Sequence, residues 1–500
     1  MFLTPLLGRM AAVVALGLAP AWVLAQKAAP SPASPKLALP AAIDKALVRA
    51  QIPREAVTLL VVDAAGKQPA RLNYRSLVPM NPASVMKLVT TYAALDVLGP
   101  DFLWTTQLLM DGQIADGVLN GNLVVRGGGD PKLVVERLQA LLTQVQSSGI
   151  QVIRGDIVLD RSAFRMPVRD AADFDGEPLR PYNASPDALL INFKSLVLKF
   201  TPDPLNQRAR VQVEPPLAGI VIDESVPMLR VGRCGDWRSE LRASVDNPNR
   251  LQFTGTYSSA CGERLWPTAY PEPESFAARA IEGSWRALGG LLTGTVRDAS
   301  DAELATLRAR GSLSGEKASL RLDAPSLPLR EIVRDVNKFS NNVMAQHLFL
   351  TMGRQAQPGP HPQATPEAGR AALAAWWKKS LPQQAAPVMD NGSGLSRSER
   401  ISAASLAAML QHAAQSRVAQ DLLDSLPIAG TDATMRERAK GVAGQAFIKT
   451  GSLRDVAAVA GYANGASGAR YIVVGIINHP NAGAGRGALD ALIQWAVQER

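Results

Sequence analysis

Apolar residues crowd every side of the run 84–98, which predicts a helix buried inside a layered domain rather than an amphipathic surface helix. Gly99-Pro100 stops it. Between Asn81 and Leu95 the one charged residue is Lys87, three positions after Ser84, so the spacing predicts a hydroxyl at the helix start with an amine on the same face. Upstream, residues 41–50 predict a short helix and 56–63 a buried strand. Residues 69–74 pair back on that strand across a turn at Ala65-Gly66-Lys67.

From residue 101 to 270 the pattern changes to short strand-like runs between turns, at 121–126, 155–160, 196–200 and 208–213, with a helix over 132–148. This predicts a large, mostly β insertion. Within it, Gly127-Gly128-Gly129-Asp130 lacks the following GK[ST] of a phosphate loop and reads as a tight turn. From 271 the pattern is helical, at 274–288, 301–307, 326–337, 343–352, 368–379, 403–416 and 419–426. A Pro-rich loop lies at 355–366 and a Gly/Ser loop at 389–397. Three strand signals, 445–449, 456–463 and 471–478, precede a closing helix over 487–499. Joined to the two N-terminal strands they predict a five-stranded antiparallel sheet with helices on its faces, an α/β (α+β) domain. The expected domain is made of 41–100 and 271–500, interrupted by 101–270.

Five hundred residues exceed one compact core. Residues 1–25 carry one cation, Arg9, then an apolar run broken by Pro20 and a small-residue end at Val23-Leu24-Ala25, the layout of a cleavable secretory signal. An uncleaved anchor is the alternative. Residues 26–40, with four prolines, read as an extended spacer. No later stretch is long and apolar enough to span a bilayer. Export to an oxidising compartment, the periplasm, suits one disulfide between Cys234 and Cys261, two free thiols being the alternative. Such a loop stabilises by about 3 to 4 kcal/mol, and its distance from Ser84 places it in a different domain. The formal charge of +9 includes Arg9. With no arginine-rich run and no aromatic-basic motif, it argues against nucleic acid and fits an anionic envelope polymer or membrane surface, or solubility alone.

The chemistry starts at Lys87. Burial drives a lysine toward its neutral form, and a serine beside a neutral amine is an activated nucleophile. The plain alternative is a buried lysine paired with a carboxylate. Ser340 and Asn342 stand at a corner between two predicted helices, where a hydroxyl and an amide point the same way. Lys449-Thr450-Gly451-Ser452 ends a strand, and Gly451 is expected to permit close approach of a substrate backbone. No GxSxG places a serine near His347, His361, His412 or His479, and no HExxH or paired Cys/His spacing implies a metal, so no cofactor is called for. The acidic residues Asp173, Asp175 and Glu177 beside Pro181-Tyr182-Asn183 read as a solvated loop, with contact to a substrate amine as the functional alternative.

With SxxK at Ser84, SxN at Ser340 and KTG at Lys449 in this order, the chain resembles the serine DD-peptidases and serine β-lactamases. The separation of 256 positions from Ser84 to Ser340 is far more than β-lactamases use. That length, with the stretches from Arg126 to Pro131, Gly155 to Ile157 and Asn391 to Arg397, resembles the low-molecular-mass class C penicillin-binding proteins, the D-alanyl-D-alanine carboxypeptidase/endopeptidase family. The resemblance covers nearly everything after residue 40 and implies a β-lactamase/transpeptidase-like domain with a β-rich insertion. It further implies that Ser84 is the nucleophile and Lys87 its base, that Ser340 and Lys449 relay the proton, and that Asn342 hydrogen-bonds the peptide. Thr450 and Ser452 would face the substrate carboxylate, and the amides of Ser84 and Ser452 the oxyanion. Arg397 would suit a carboxylate on the stem-peptide side chain. The implied partners are peptidoglycan stem peptides and β-lactams. A β-lactamase, which needs an efficient water-activating base, and a catalytically idle wall-binding protein, which would show damaged motifs, are the rival readings.

Overall fold

The structure, a computed structural model, describes residues 39–229, 233–247, 249–311 and 321–498. The expected signal at 1–25, and the spacer as far as residue 38, lie outside the described residues.

A five-stranded sheet forms from strands at the two ends of the chain: β1 (Val57–Asp63), β2 (Leu72–Tyr74), β3 (Ala446–Leu453), β4 (Val456–Asn464) and β5 (Arg470–Asn478). Their spatial order is β2-β1-β5-β4-β3, antiparallel throughout. Alternate residues serve opposite faces. Leu59, Val61, Val459 and Ile477 join a core with α1 (Ala41–Arg49) and the closing helix, while Leu60, Ala458, Ala460 and Ile476 join a second core on the other face. Small residues in β4 let both faces be covered, so eight of its nine positions are buried.

On that second face lie α2 (Lys87–Leu98), α3 (Leu329–Phe339), α4 (Asn342–Gln355) and α5 (Ala403–Ala414). α6 (Arg486–Gln498) closes the chain against the first face. Every residue of α2 from Lys87 to Leu95 is buried, as its uniformly apolar pattern requires. Gly99, at φ 85°, ends it. The helix begins later than its pattern suggests. Ser84 stands on a 3-10 turn, Ala83–Met86, because Ala83 takes a left-handed φ of 46° and tightens the entry.

Among the described residues the insertion holds three sheets of seven, five and three strands around a separate core that includes Leu108, Leu123, Ile157, Phe200 and Trp285. Its extent differs from the expected edge at 271. The helix Phe276–Ala287 buries Phe276, Ile281 and Trp285 in this core, and the strands Leu291–Leu292, Val296–Asp298 and Arg321–Pro325 pair with the seven-stranded sheet. Periodicity shows which face of a helix is buried, not against which layer, so the helical pattern after 271 was no marker of return. Cys234 and Cys261 form a disulfide within the insertion, their Cα atoms 4.6 Å apart.

The expected turn at Gly127-Gly128-Gly129-Asp130 is absent. The segment instead runs on from the strand Val118–Arg126, its Gly127 and Gly129 amides donating to the Asp160 and Ala188 carbonyls. There it meets α4: His347, fully buried, donates from Nδ1 to the Gly129 carbonyl (2.9 Å) and accepts the Asp187 amide at Nε2 (3.3 Å). Burial pushes this imidazole down to about 4, so it is a neutral structural tie. Among the described residues no helix is long and apolar enough to cross a membrane.

Candidate active site

Ser84 is set by its neighbours on both sides of the 3-10 turn. The Asn81 side chain accepts the Ala83 amide (2.9 Å) and donates to the Ser396 carbonyl (2.9 Å), while Asn478 on β5 bonds both the amide and the carbonyl of Asn81. These contacts hold the left-handed Ala83 in place. β3 then presses on the turn at Gly451, where a Cβ would lie 2.4 Å from the Pro82 carbonyl oxygen and 3.1 Å from the Ser84 nitrogen. The glycine was expected to admit a substrate backbone. In this structure it also admits the turn that carries Ser84.

Lys87 is fully buried, and its Nζ lies 3.0 Å from Ser84 Oγ, 2.6 Å from Asn342 Oδ1 and 2.5 Å from the Ser393 carbonyl. A neutral amine has two N–H groups and one lone pair. Asn342 Oδ1 and the Ser393 carbonyl only accept, so they take the two N–H groups and leave the lone pair to the one partner able to donate, the Ser84 hydroxyl. Burial holds the Lys87 ammonium well below the ordinary lysine range, the nearby Lys449 charge lowers it further, and Glu399 opposes both.

A second buried lysine completes the floor. Lys449 Nζ donates to Ser340 Oγ (2.9 Å) and to the Thr450 carbonyl (2.7 Å), and burial brings it down to about 7. Ser340 caps α3 in the left-handed region at φ 56°, Asn341 caps α4 by accepting the Met344 amide, and Asn342 is the first residue of α4. The corner expected between two helices therefore exists, and each end of the Asn342 amide makes a bond. Oδ1 takes Lys87 and Nδ2 donates to the Tyr182 carbonyl at 3.0 Å. Fixing the lysine is thus added to its expected bond to the peptide, for which the second Nδ2 hydrogen remains at the cleft wall.

Above this floor is a cleft of about 510 Å³, lined by Ser84, Ser340, Asn342 and Ser452 on the sheet and helix side and by Phe174 and Tyr182 of the insertion. Thr450 is half-buried and Ser452 is exposed, within 3.4 Å of Arg486. Arg397 also lines the cleft, pairing with Asp455 (2.9 Å) and lying over the Phe174 ring at 4.7 Å. The acidic cluster divides. Asp175 and Glu177 line the cleft, Asp175 accepting the Tyr182 hydroxyl and the Asn183 amide, both at 2.8 Å, whereas Asp173 lines an adjoining hollow. No group of three or more metal-ligating side chains is assembled among the described residues.

The model of the D-Ala-D-Ala carboxypeptidase 3 (S13) family matches residues 39–499. The chain belongs to this family. It is 27% identical over 415 residues to the D-alanyl-D-alanine carboxypeptidase DacB of Haemophilus influenzae, covering 82% of this chain and 83% of that one. It is also 27% identical over 426 residues to the D-alanyl-D-alanine carboxypeptidase of Actinomadura sp. strain R39, covering 80% and 74%. The crystal structure of penicillin binding protein 4 (dacB) from Haemophilus influenzae superposes with a TM-score of 0.69 at 24% identity over 90% of this chain and 99% of that one, a likeness of fold.

Within this S13 chain, sequence reasoning found the side chains that carry short motifs and missed their main-chain partners. The carbonyls of Ser393 and Tyr182 hold Lys87 and Asn342, yet any residue supplies a carbonyl, so no signal marks them. Phe174 left a faint one, an aromatic amid acidic residues. Glu399, fully buried beneath the 390–398 loop, sits in a Ser/Arg-rich stretch that reads as exposed surface.

Proposed function

We propose that this protein is a serine D-alanyl-D-alanine carboxypeptidase of peptidoglycan stem peptides, acting through an acyl-enzyme at Ser84. The observation that carries the reading is the Lys87 amine, with both N–H groups committed and its lone pair turned to Ser84 Oγ at 3.0 Å. Lys87 takes the hydroxyl proton as Ser84 Oγ bonds the carbonyl carbon of the penultimate D-Ala. The main-chain amides of Ser84 and Ser452 receive the oxyanion, a role in which one lost donor costs about a hundredfold in rate. As the C–N bond breaks, the leaving amine takes a proton through Ser340, supplied from the side of Lys449 and Lys87. Water then hydrolyses the ester and restores Ser84. Thr450 and Ser452 take the substrate's terminal carboxylate, and Arg397 a carboxylate on the stem-peptide side chain.

The same chemistry opens a β-lactam ring and leaves a long-lived acyl-enzyme. It extends to cross-links as well. Past Phe174 and Arg397 the cleft meets a second hollow of about 420 Å³, space for a second peptide strand and support for DD-endopeptidase action. The Cys234–Cys261 disulfide, with the signal-like residues 1–25, supports work in the periplasm.

The deciding experiment incubates wild type and Ser84→Ala with a muropeptide carrying a cross-link and a pentapeptide end, and reads the products by mass spectrometry. Loss of terminal D-Ala by wild type alone is expected. Equal product from both proteins removes Ser84 as nucleophile, and release of a fluorescent penicillin within seconds favours a β-lactamase.

A further inference from the structure

The loop 390–399 ends in a carboxyl group that the mechanism has not used. Glu399 is fully buried, and its Oε1 accepts three main-chain amides, from Asp390 (3.0 Å), Asn391 (3.1 Å) and Gly392 (3.2 Å), while Oε2 has no hydrogen-bond partner. Three donors converging on one oxygen fold the start of the loop back over its end. The next contacts continue the restraint. Thr90 on α2 donates to the Gly392 carbonyl (2.6 Å), and Asn391 Oδ1 accepts both the amide (2.9 Å) and the hydroxyl (2.6 Å) of Ser393. Gly394, at φ 80°, packs so tightly on the Ser84 turn that a Cβ would lie 2.0 Å from the Ala83 carbonyl oxygen. The Ser393 carbonyl that meets Lys87 thus belongs to a loop pinned on either side of it.

We propose that Glu399 is a positioning residue for acylation: by gathering the amides of residues 390–392 on one oxygen it fixes the Ser393 carbonyl, which in turn aims the Lys87 lone pair at Ser84. The inference rests on the reading of Lys87 as the base. Without a fixed carbonyl at that point, one N–H of the amine loses its acceptor and Nζ rotates, carrying the lone pair away from the hydroxyl. The role asks for an sp² oxygen at one place, not for a negative charge. Burial pushes the Glu399 carboxyl up, against the opposing pull of the three amides it gathers. A glutamine side chain supplies that oxygen at the same reach, an aspartate stops one methylene short, and an alanine supplies none.

The test measures acylation of the full chain by a fluorescent penicillin under pre-steady-state conditions, reading the maximal rate and the half-saturating concentration separately. It compares wild type with Glu399→Gln, Glu399→Asp and Glu399→Ala, each checked by thermal unfolding. Expected is a maximal rate for Glu399→Gln within about threefold of wild type, and rates lower by about tenfold or more for Glu399→Asp and Glu399→Ala with half-saturation unchanged. If Glu399→Ala does not fold, the contrast between Gln and Asp decides. Glu399→Gln as slow as Glu399→Asp, or all variants as fast as wild type, overturns the positioning role while leaving Ser84 and Lys87 in place. A wild-type protein that never acylates at Ser84 overturns the reading of the site and the positioning role with it.

Discussion

On the floor of the cleft two lysines, Lys87 and Lys449, are fully buried, and among the described residues neither forms an ion pair; on the rim Arg397 is half exposed and paired with an equally exposed Asp455. The floor surrounds its cations with carbonyl, amide and hydroxyl oxygens, so burial wins and the amines move toward neutrality. The rim leaves solvent beside each charge, so the Arg397–Asp455 pair contributes little to stability. In the proposed mechanism the buried amine of Lys87 serves as base and the solvated rim as recognition surface. The two regions lie within one cleft and differ chiefly in access to water.

Replacing Lys87 with methionine tests the floor most severely. Lys87→Met keeps the volume and removes the base, so penicillin acylation should fall by about a thousandfold with the fold intact by circular dichroism. A loss below tenfold would mean that another group takes the proton.

Lys449 separates activity from stability. Burial lowers its ammonium to about 7 in the folded chain, against 10.5 when exposed, so between those values the unfolded chain binds the extra proton. Stability therefore rises with pH across that window, and the burden of the buried amine is greatest below 7. Lys449→Met should slow acylation about a hundredfold yet raise the urea midpoint at pH 6, with a smaller gain at pH 9. A gain that is larger at pH 9 contradicts this account of the floor.

The rim should respond least. Arg397→Ala is expected to raise KM for a stem pentapeptide by about threefold to tenfold, leave kcat within about twofold, and shift stability by less than about 0.5 kcal/mol. A large drop in kcat at unchanged KM would move Arg397 from recognition into the chemistry.

Much of this contrast was legible in the sequence because its side chains sit at places that pattern analysis handles well. Ser84 and Lys87 open an all-apolar helix, Ser340 and Asn342 interrupt two helical runs, and Lys449 ends an apolar strand. The five-stranded sheet was readable for the same reason, since period-two runs near both termini needed partners. The true end of the insertion was not, because Phe276–Ala287 has the same amphipathic pattern whichever layer it covers. Glu399 and the carbonyls of Ser393 and Tyr182 escaped because their roles depend on the path of the main chain. Asn342 was found without its bond to Lys87: its sequence neighbours place it at a corner and cannot show which way the amide turns.

The central sheet also fixes an order of events in the life of the molecule. β1 and β2 are made first, but β5, which must lie beside β1, and β3, which brings Lys449, leave the ribosome only within the final stretch 446–498. Until then the early strands have no neighbour on one edge, and such long-range pairing is slow to form. A chain made only as far as residue 445 therefore has no Lys449 beneath Ser340 and no finished turn around Ser84. A wall-cutting catalyst assembled this way is inert until its last strands arrive.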